Sequence, residues 1–165
     1  MKYYLGIDTS NYTTSIALFD ADTNTLVQKK QLLPVNNGAI GLRQSDAVFH
    51  HTKQIPVLME ELFRNVDGNI LAIGVSDRPS CRENSYMPCF MAGCALARSL
   101  AAVLHVPLYF FTHQQGHIAA AAFGAKNVTL LEKPLLAFHV SGGTTDLLYV
   151  EPDDVTIIRC SCIAS

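Results

Sequence analysis

The order in which strand-like and helix-like segments alternate constrains this chain more than any other feature. KYYLGIDTS, from Lys2, is an apolar run closing on small polar residues, and YTTSIALFD resumes strand character after Asn11. The two predict a hairpin. NTLVQKKQLL supplies a third strand, so the chain opens as a meander. After a stretch containing Gly38 and Gly41, SDAVFHHTKQIPVLMEELFRNV places apolar residues at helical spacing. Ser45 is the expected N-cap, and Pro56 is expected to kink or divide the helix. Beyond the Asp67-Gly68 turn, NILAIGVS is a continuous apolar run of the kind found in a strand covered on both faces. CFMAGCALARSLAAVLH is a helix of small residues, VPLYFF the next buried strand, and THQQGHIAAAAFGA a further helix. LLAFHVSGGTTDLLYVE reads as a second hairpin with a Gly-Gly corner, and TIIRCSCIAS as one more strand.

Strands followed by strand–helix alternation predict an α/β fold with a mixed sheet flanked by helices, the layout of a ribonuclease-H-like lobe. The chain also carries a weak internal repeat. LLAFHVSGGTTDLLYV has the layout of YYLGIDTSNYTTSIAL: apolar strand, small-residue loop, Thr-rich return strand. Residues 1–130 are therefore expected to form an N-terminal lobe, and residues 131–165 the opening hairpin and strand of a second. Two such loops facing each other across a cleft would offer backbone N–H groups and hydroxyls to the phosphates of a nucleotide.

At 165 residues and 49% hydrophobic, the chain can bury a core. Its net charge of -2 is not the footprint of a protein that grips RNA or an anionic membrane by charge alone. The first residues run straight into a strand, so no secretory signal is expected. The apolar region Phe90–Phe111 is interrupted by Arg98, His105 and Pro107, which excludes a membrane span. The five cysteines, Cys81, Cys89, Cys94, Cys160 and Cys162, have neither zinc-ribbon nor CxxC spacing, so free thiols in a reducing cytoplasm are expected.

In HQQGH, His113 and His117 stand four apart and project from one helical face, where they could share a cation. Spacing alone leaves open a pair of partly buried histidines bonded to backbone. One of His50 and His51 on the long helix could face the cleft, though a solvated or half-buried histidine is the expected reading. Arg78, Arg82, Glu83 and Asn84 form a polar loop cluster that could touch RNA or an acyl group. Asp153-Asp154 reads as a turn, and Met87, Phe90 and Met91 as core or contact residues.

GIDTSNYTTSIAL, GLRQSDAVFHHTKQIPVLMEEL, THQQGHIAAA and LLAFHVSGGTTDLL, in that order, resemble the tRNA threonylcarbamoyladenosine transferase family, which older labels call the glycoprotease or O-sialoglycoprotein endopeptidase family. The resemblance covers essentially the whole chain and about the first half of the family's usual length. It implies the lobe of the actin, sugar kinase and heat-shock chaperone superfold. It implies transfer of a threonylcarbamoyl group from its adenylate to the exocyclic amine of a tRNA adenosine. His113 and His117 would bind a divalent iron or zinc ion, with an aspartate from the second lobe as third ligand. Asp8, Thr9 and Ser10, with Ser141, Gly142, Gly143 and Thr144, would bind ATP or the adenylate, and Asp8 would also hold a cation-bound water or orient its loop. The implied partners are the other proteins of threonylcarbamoyladenosine synthesis, with tRNA reached through the full assembly. The implied location is cytoplasmic, away from any membrane. An unpaired lobe with an exposed cleft face invites a homodimer, and the isolated chain is expected to be inactive.

The old protease label fails on the residues. HExxH zinc proteases set a glutamate beside the first histidine as general base, and Gln114 there cannot take a proton. Three departures mark a divergent paralogue: Tyr12-Thr13 where the family carries an acidic pair, Thr144 where it carries a histidine, and SCRENSYMPCF in place of a Gly- and Pro-rich segment. The alternative is a non-catalytic scaffold or partner subunit of the same system. A kinase of this fold ranks last, because Asp8 and Asp146 are the only local acids.

Overall fold

A computed structural model describes residues 1–35, 42–140, 145–153 and 157–164. The chain divides into two compact units, one of Met1–Asp77 with Met87–Phe110 and one of Arg78–Tyr86 with Phe111–Ser165. The boundaries at 77/78 and 110/111 fall near strand ends and the one at 86/87 in a loop, and each unit is built from non-contiguous chain.

Unit 1 is organised by a five-stranded sheet. β1 (Lys2–Ser10), β2 (Thr13–Asp20) and β3 (Thr25–Leu32) form the expected meander. β4 (Asn69–Arg78) runs parallel to β1, with Ile7 opposite Val75, and β5 (Leu108–Thr112) is the edge, giving the order β3-β2-β1-β4-β5. The β1–β2 register sets Ser10 opposite Thr13, so the chain reverses over Asn11-Tyr12.

Side chains alternate along the strands. Leu5, Ile7, Ile16, Leu18, Ile73 and Val75 therefore fall on one face, where they pack with Ile55, Leu58 and Leu62 of α1 (Gln44–Phe63) and Ala97 and Ala101 of α2 (Phe90–Leu104). Each of the large aliphatic side chains contributes roughly 1.5–3 kcal/mol by leaving water. The small-residue pattern of α2 has a steric cause. A Cβ at Gly93 would lie 2.9 Å from Thr9 Oγ1, so only glycine lets this helix approach β1.

Several local readings are sharpened or corrected. Arg43, not Ser45, is the N-cap of α1, and no side chain caps that end. Pro56 lies inside one continuous helix. It sits on the exposed side, while Ala47, His51, Ile55, Leu58 and Leu62 carry one buried stripe past it. β4 alternates in burial and is not covered on both faces within unit 1, and β5 is a half-exposed edge with Tyr109 45% exposed. Met91 is exposed, whereas Phe90 is core.

Unit 2 holds α3 (His113–Gly124), a short 3-10 turn (Val128–Glu132) and a three-stranded antiparallel sheet, β6 (Leu135–Val140), β7 (Thr145–Asp153) and β8 (Ile157–Ala164), in that order. The predicted second hairpin is β6–β7, with Val140 opposite Thr145. Its core is Leu148, Val150, Ile158 and Cys160, against which Ile118, Leu131, Leu135 and Ala137 pack.

Candidate functional site

The histidine-bearing helix starts where its sequence provides a capping box. Thr112 Oγ1 accepts from the Gln115 N–H at 3.1 Å, and Gln115 Oε1 accepts from the Thr112 N–H at 2.7 Å. Two of the four orphan donors at that end are thereby satisfied, which fixes where the helix begins. The four-residue spacing then brings His113 and His117 together, with their Nε2 atoms 2.8 Å apart and their rings edge to face at 82°.

The residues between them point elsewhere. Gln114 and Gln115 are buried; Gln114 Nε2 donates to Asp146 Oδ2 at 2.8 Å and Gln115 Nε2 to the Ile158 carbonyl at 2.6 Å. Both strands β7 and β8 are thus tied to the helix. Gly116 faces open space, since a Cβ there would meet nothing within 4 Å.

Beside the histidines lies an open cavity of about 800 Å³ inside unit 2, lined among others by Arg82, Gln114, Ile118, Phe138, His139 and Asp146. Its anchor is Asp146, whose side chain is 8% exposed although it is a carboxylate. Burying such a group is tolerable only with strong donors. Gln114 supplies one, and Arg82 Nη2, 2.9 Å from Oδ1, supplies the other. Arg82 comes from the 78–86 loop, which is closed by Ser80 and Ser85 hydroxyls 2.9 Å apart and joined to α3 by the Gln114 N–H donating to the Pro79 carbonyl. His139, cross-strand partner of Asp146, has its ring 5.3 Å from that of His117, and its Nδ1 is buried with no hydrogen-bond partner among the described residues.

Sequence reasoning named Asp146 and Arg82 separately and missed both their pairing and His139. Period two was the available signal for His139: Leu135, Ala137 and His139 alternate with the exposed Leu136, Phe138 and Val140. The Arg82–Asp146 pair joins residues 64 apart, and nothing local encodes it.

The first predicted loop belongs to unit 1. Asp8 Oδ1 accepts from the Ser10 N–H at 2.9 Å, so this carboxylate orders the turn it occupies. Thr9 is fully buried, its hydroxyl donating to the Cys89 carbonyl and accepting from the Gly93 N–H. Nearby, His51 is fully buried, not half-buried, with Nδ1 2.7 Å from the Thr14 hydroxyl, which donates to Gln54 Oε1. Burial lowers the His51 pKa, and the Ser10 backbone and the Asp8 charge only partly offset it. Ser141, Gly142, Gly143 and Thr144 lie outside the described residues. All five cysteines are free, and burial pushes the thiols of Cys89 and Cys160 up to about 11 and about 12.

Residues 41–162 match the family model described as tRNA N6-adenosine threonylcarbamoyltransferase. The chain belongs to that family. The threonylcarbamoyltransferase of Streptococcus sanguinis (strain SK36) is 31% identical over 153 residues, covering 90% of this chain and 43% of the relative. That of Campylobacter fetus subsp. fetus is 33% identical over 149 residues, covering 89% and 42%. The chain spans less than half the length of these curated threonylcarbamoyltransferases.

Among solved structures, YeaZ from Pseudomonas aeruginosa superposes with a TM-score of 0.58 at 13% identity, covering 98% of this chain and 65% of that one. An inorganic polyphosphate/ATP-glucomannokinase from Arthrobacter sp. strain KM superposes with a TM-score of 0.56 at 12% identity, covering 98% and 62%. These likenesses bear on fold alone, and they agree with the ribonuclease-H-like, actin-like architecture expected from the order of elements. No helix among the described residues is long and apolar enough to cross a membrane.

Proposed function

We propose that this chain is the histidine-bearing part of a metal-dependent threonylcarbamoyl transferase, or a paralogue of one, that acts on a tRNA adenosine through a threonylcarbamoyl adenylate. The observation that carries the reading is the meeting of His113 and His117 Nε2 atoms, 2.8 Å apart, at the wall of a cavity. Two imidazoles sharing a tetrahedral zinc at about 2.0–2.1 Å would have their nitrogens about 3.3 Å apart, so a small opening of the pair accommodates a divalent iron or zinc ion. Among the described residues no set of three His, Cys, Asp or Glu is gathered to hold a metal, so the remaining ligands would come from water, from substrate or from a residue elsewhere. Bound there, the cation would supply Lewis-acid polarisation of a carbamoyl carbonyl.

The chain's own residues do the positioning. The capping box and the two glutamines hold the histidine helix against β7 and β8, so both imidazoles keep one orientation. Ile118 and Phe138 give the cavity an apolar side that limits water around an activated acyl group. The loops Asp8-Thr9-Ser10 and Ser141-Gly142-Gly143-Thr144 are each proposed to offer main-chain donors to an adenylate phosphate, with Asp8 shaping the first by holding the Ser10 N–H. Gln114 cannot serve as a base, since its amide donates to Asp146. The whole protein is proposed to work in the cytoplasm with other threonylcarbamoyladenosine synthesis proteins, through which it would reach tRNA, and to pair as a homodimer.

A scaffold role would leave the histidine pair without purpose. The test is metal loading: purified chain is reconstituted with Fe²⁺ or Zn²⁺, desalted, and its metal content measured. About one equivalent in the parent chain and less than a tenth in His113→Ala/His117→Ala is expected. Equal, near-zero loading in both would overturn the catalytic reading in favour of the scaffold.

A further inference from the structure

The 78–86 loop overlaps SCRENSYMPCF, the stretch read above as a departure from the family's pattern, and it places Arg82 on the cavity wall. Arg82 uses a single nitrogen within the protein: Nη2 meets Asp146 Oδ1 at 2.9 Å and Cys162 Sγ at 3.0 Å. Its Nε and Nη1 groups make no hydrogen bond among the described residues, and its side chain is 47% exposed. Asp146, which fixes it, is nearly inaccessible and holds Gln114 on its second oxygen. Thus the acid determines where the cation sits while leaving most of its donors open. Neutralising Asp146 requires only Nη2, and Arg82 also lines the cavity. The sulfur is a weak acceptor that a better one would displace. Among the described residues no carboxylate other than Asp146 lines the cavity, and about 800 Å³ lies within the usual range for a small-molecule site of roughly 300–1,000 Å³.

We propose that Arg82 is the anion receptor of this cavity, binding a carboxylate or phosphate oxygen of a small carbamoyl-bearing substrate whose carbonyl end lies toward His113 and His117. The inference rests on the transferase reading for the carbonyl end, and it adds what recognises the other end. Arginine suits the task because its planar donors match oxyanions and it stays charged at any physiological pH. A carbamoylated amino acid offers a carboxylate and its adenylate also a phosphate; the receptor chemistry is shared, and the two are separable by probe.

Binding of N-carbamoyl-threonine, which has a carboxylate and no phosphate, and of AMP, which has the reverse, is measured by calorimetry on the chain, on Arg82→Gln and on Arg82→Lys. The expected result is at least a tenfold loss of N-carbamoyl-threonine affinity in Arg82→Gln, with AMP unchanged. Arg82→Lys keeps a charge beside Asp146 and should fold like the parent, yet recover only part of that affinity, which a purely structural ion pair would not predict. If AMP affinity alone falls, the receptor takes the phosphate. Equal affinities in all three chains, or no binding of either probe to the parent, overturn the proposal. Zinc loading of the same variants keeps the two readings apart. Arg82→Gln with full zinc and unchanged probe affinity removes the receptor alone, whereas a parent chain that binds N-carbamoyl-threonine through Arg82 but takes up no metal removes the histidine reading alone.

Discussion

Unit 1 and unit 2 each contain a hairpin of one plan, and they use their polar residues in opposite ways. Beneath β1–β2, Thr9, Thr14, His51 and Gln54 are buried and bonded to one another or to backbone, so their hydroxyls, ring and amide serve packing. Beside β6–β7, the imidazoles of His113 and His117 and the guanidinium of Arg82 reach open space, while Gln114, Gln115 and Asp146 behind them are buried. The difference teaches that a polar residue's role follows from what lies behind it. Where a polar residue is shut in among its neighbours it holds structure, and where it lines open space, as Arg82 does, it can meet a ligand.

The largest effect that would test this contrast is in the unit 1 core. Ile16→Ala should cost about 2–5 kcal/mol by urea denaturation, because Ile16 is wholly buried among rigid neighbours. The zinc content of the variant, measured where it is still folded, should match that of the parent; loss of zinc from the folded variant would show that the units are not separable in this way. Thr14→Val should cost about 1–3 kcal/mol, since it strands a buried imidazole nitrogen and an amide oxygen together. A neutral result would mean that water reaches the network.

A third measurement is the pH dependence. His51 titrates below its ordinary value of 6.5 because burial disfavours its charge, so the unfolded chain takes up the proton first. Its contribution to stability is present above that value and fades as the pH falls below 6.5 through the lowered folded value. Urea midpoints should drop across that window and drop less in His51→Gln; parallel curves would discount the histidine. The smallest effect is at Gly116, where Gly116→Ala should raise stability by about 0.5–1 kcal/mol, as expected for an exposed helical glycine with room for a methyl group. If the same change abolishes zinc uptake, that open space belongs to the site.

The fold was largely legible because period and order suffice for it. The meander, the strand–helix alternation and the small-residue helix all follow from patterns along the chain, whereas the parallel β1–β4 pairing and the docking of that helix on β1 come from the structure. Burial was harder to read. VPLYFF is apolar enough for a central strand yet lies at an edge, since sequence records hydrophobicity and not how many neighbours a strand acquires. The histidine pair was legible as a spacing. The Arg82–Asp146 tie was not, because both residues sit in segments whose local chemistry is ordinary for loops and strand starts, and only the assembled unit brings them together. Thr9 shows the converse: its place in a small polar loop suggests a ligand contact, but the structure gives its hydroxyl two partners inside unit 1.

The five letters HQQGH contain two messages in different directions. The histidines address what comes from outside, and the glutamines address strands already in place through Asp146 and the Ile158 carbonyl. Anyone transplanting the histidine pair to a foreign helix would therefore carry over the ligand half of the motif and lose its foundation. The smallest portable unit is the helix with its threonine cap and both strand acceptors, and a graft that keeps only the spacing should place two imidazoles on a surface where they have no reason to meet.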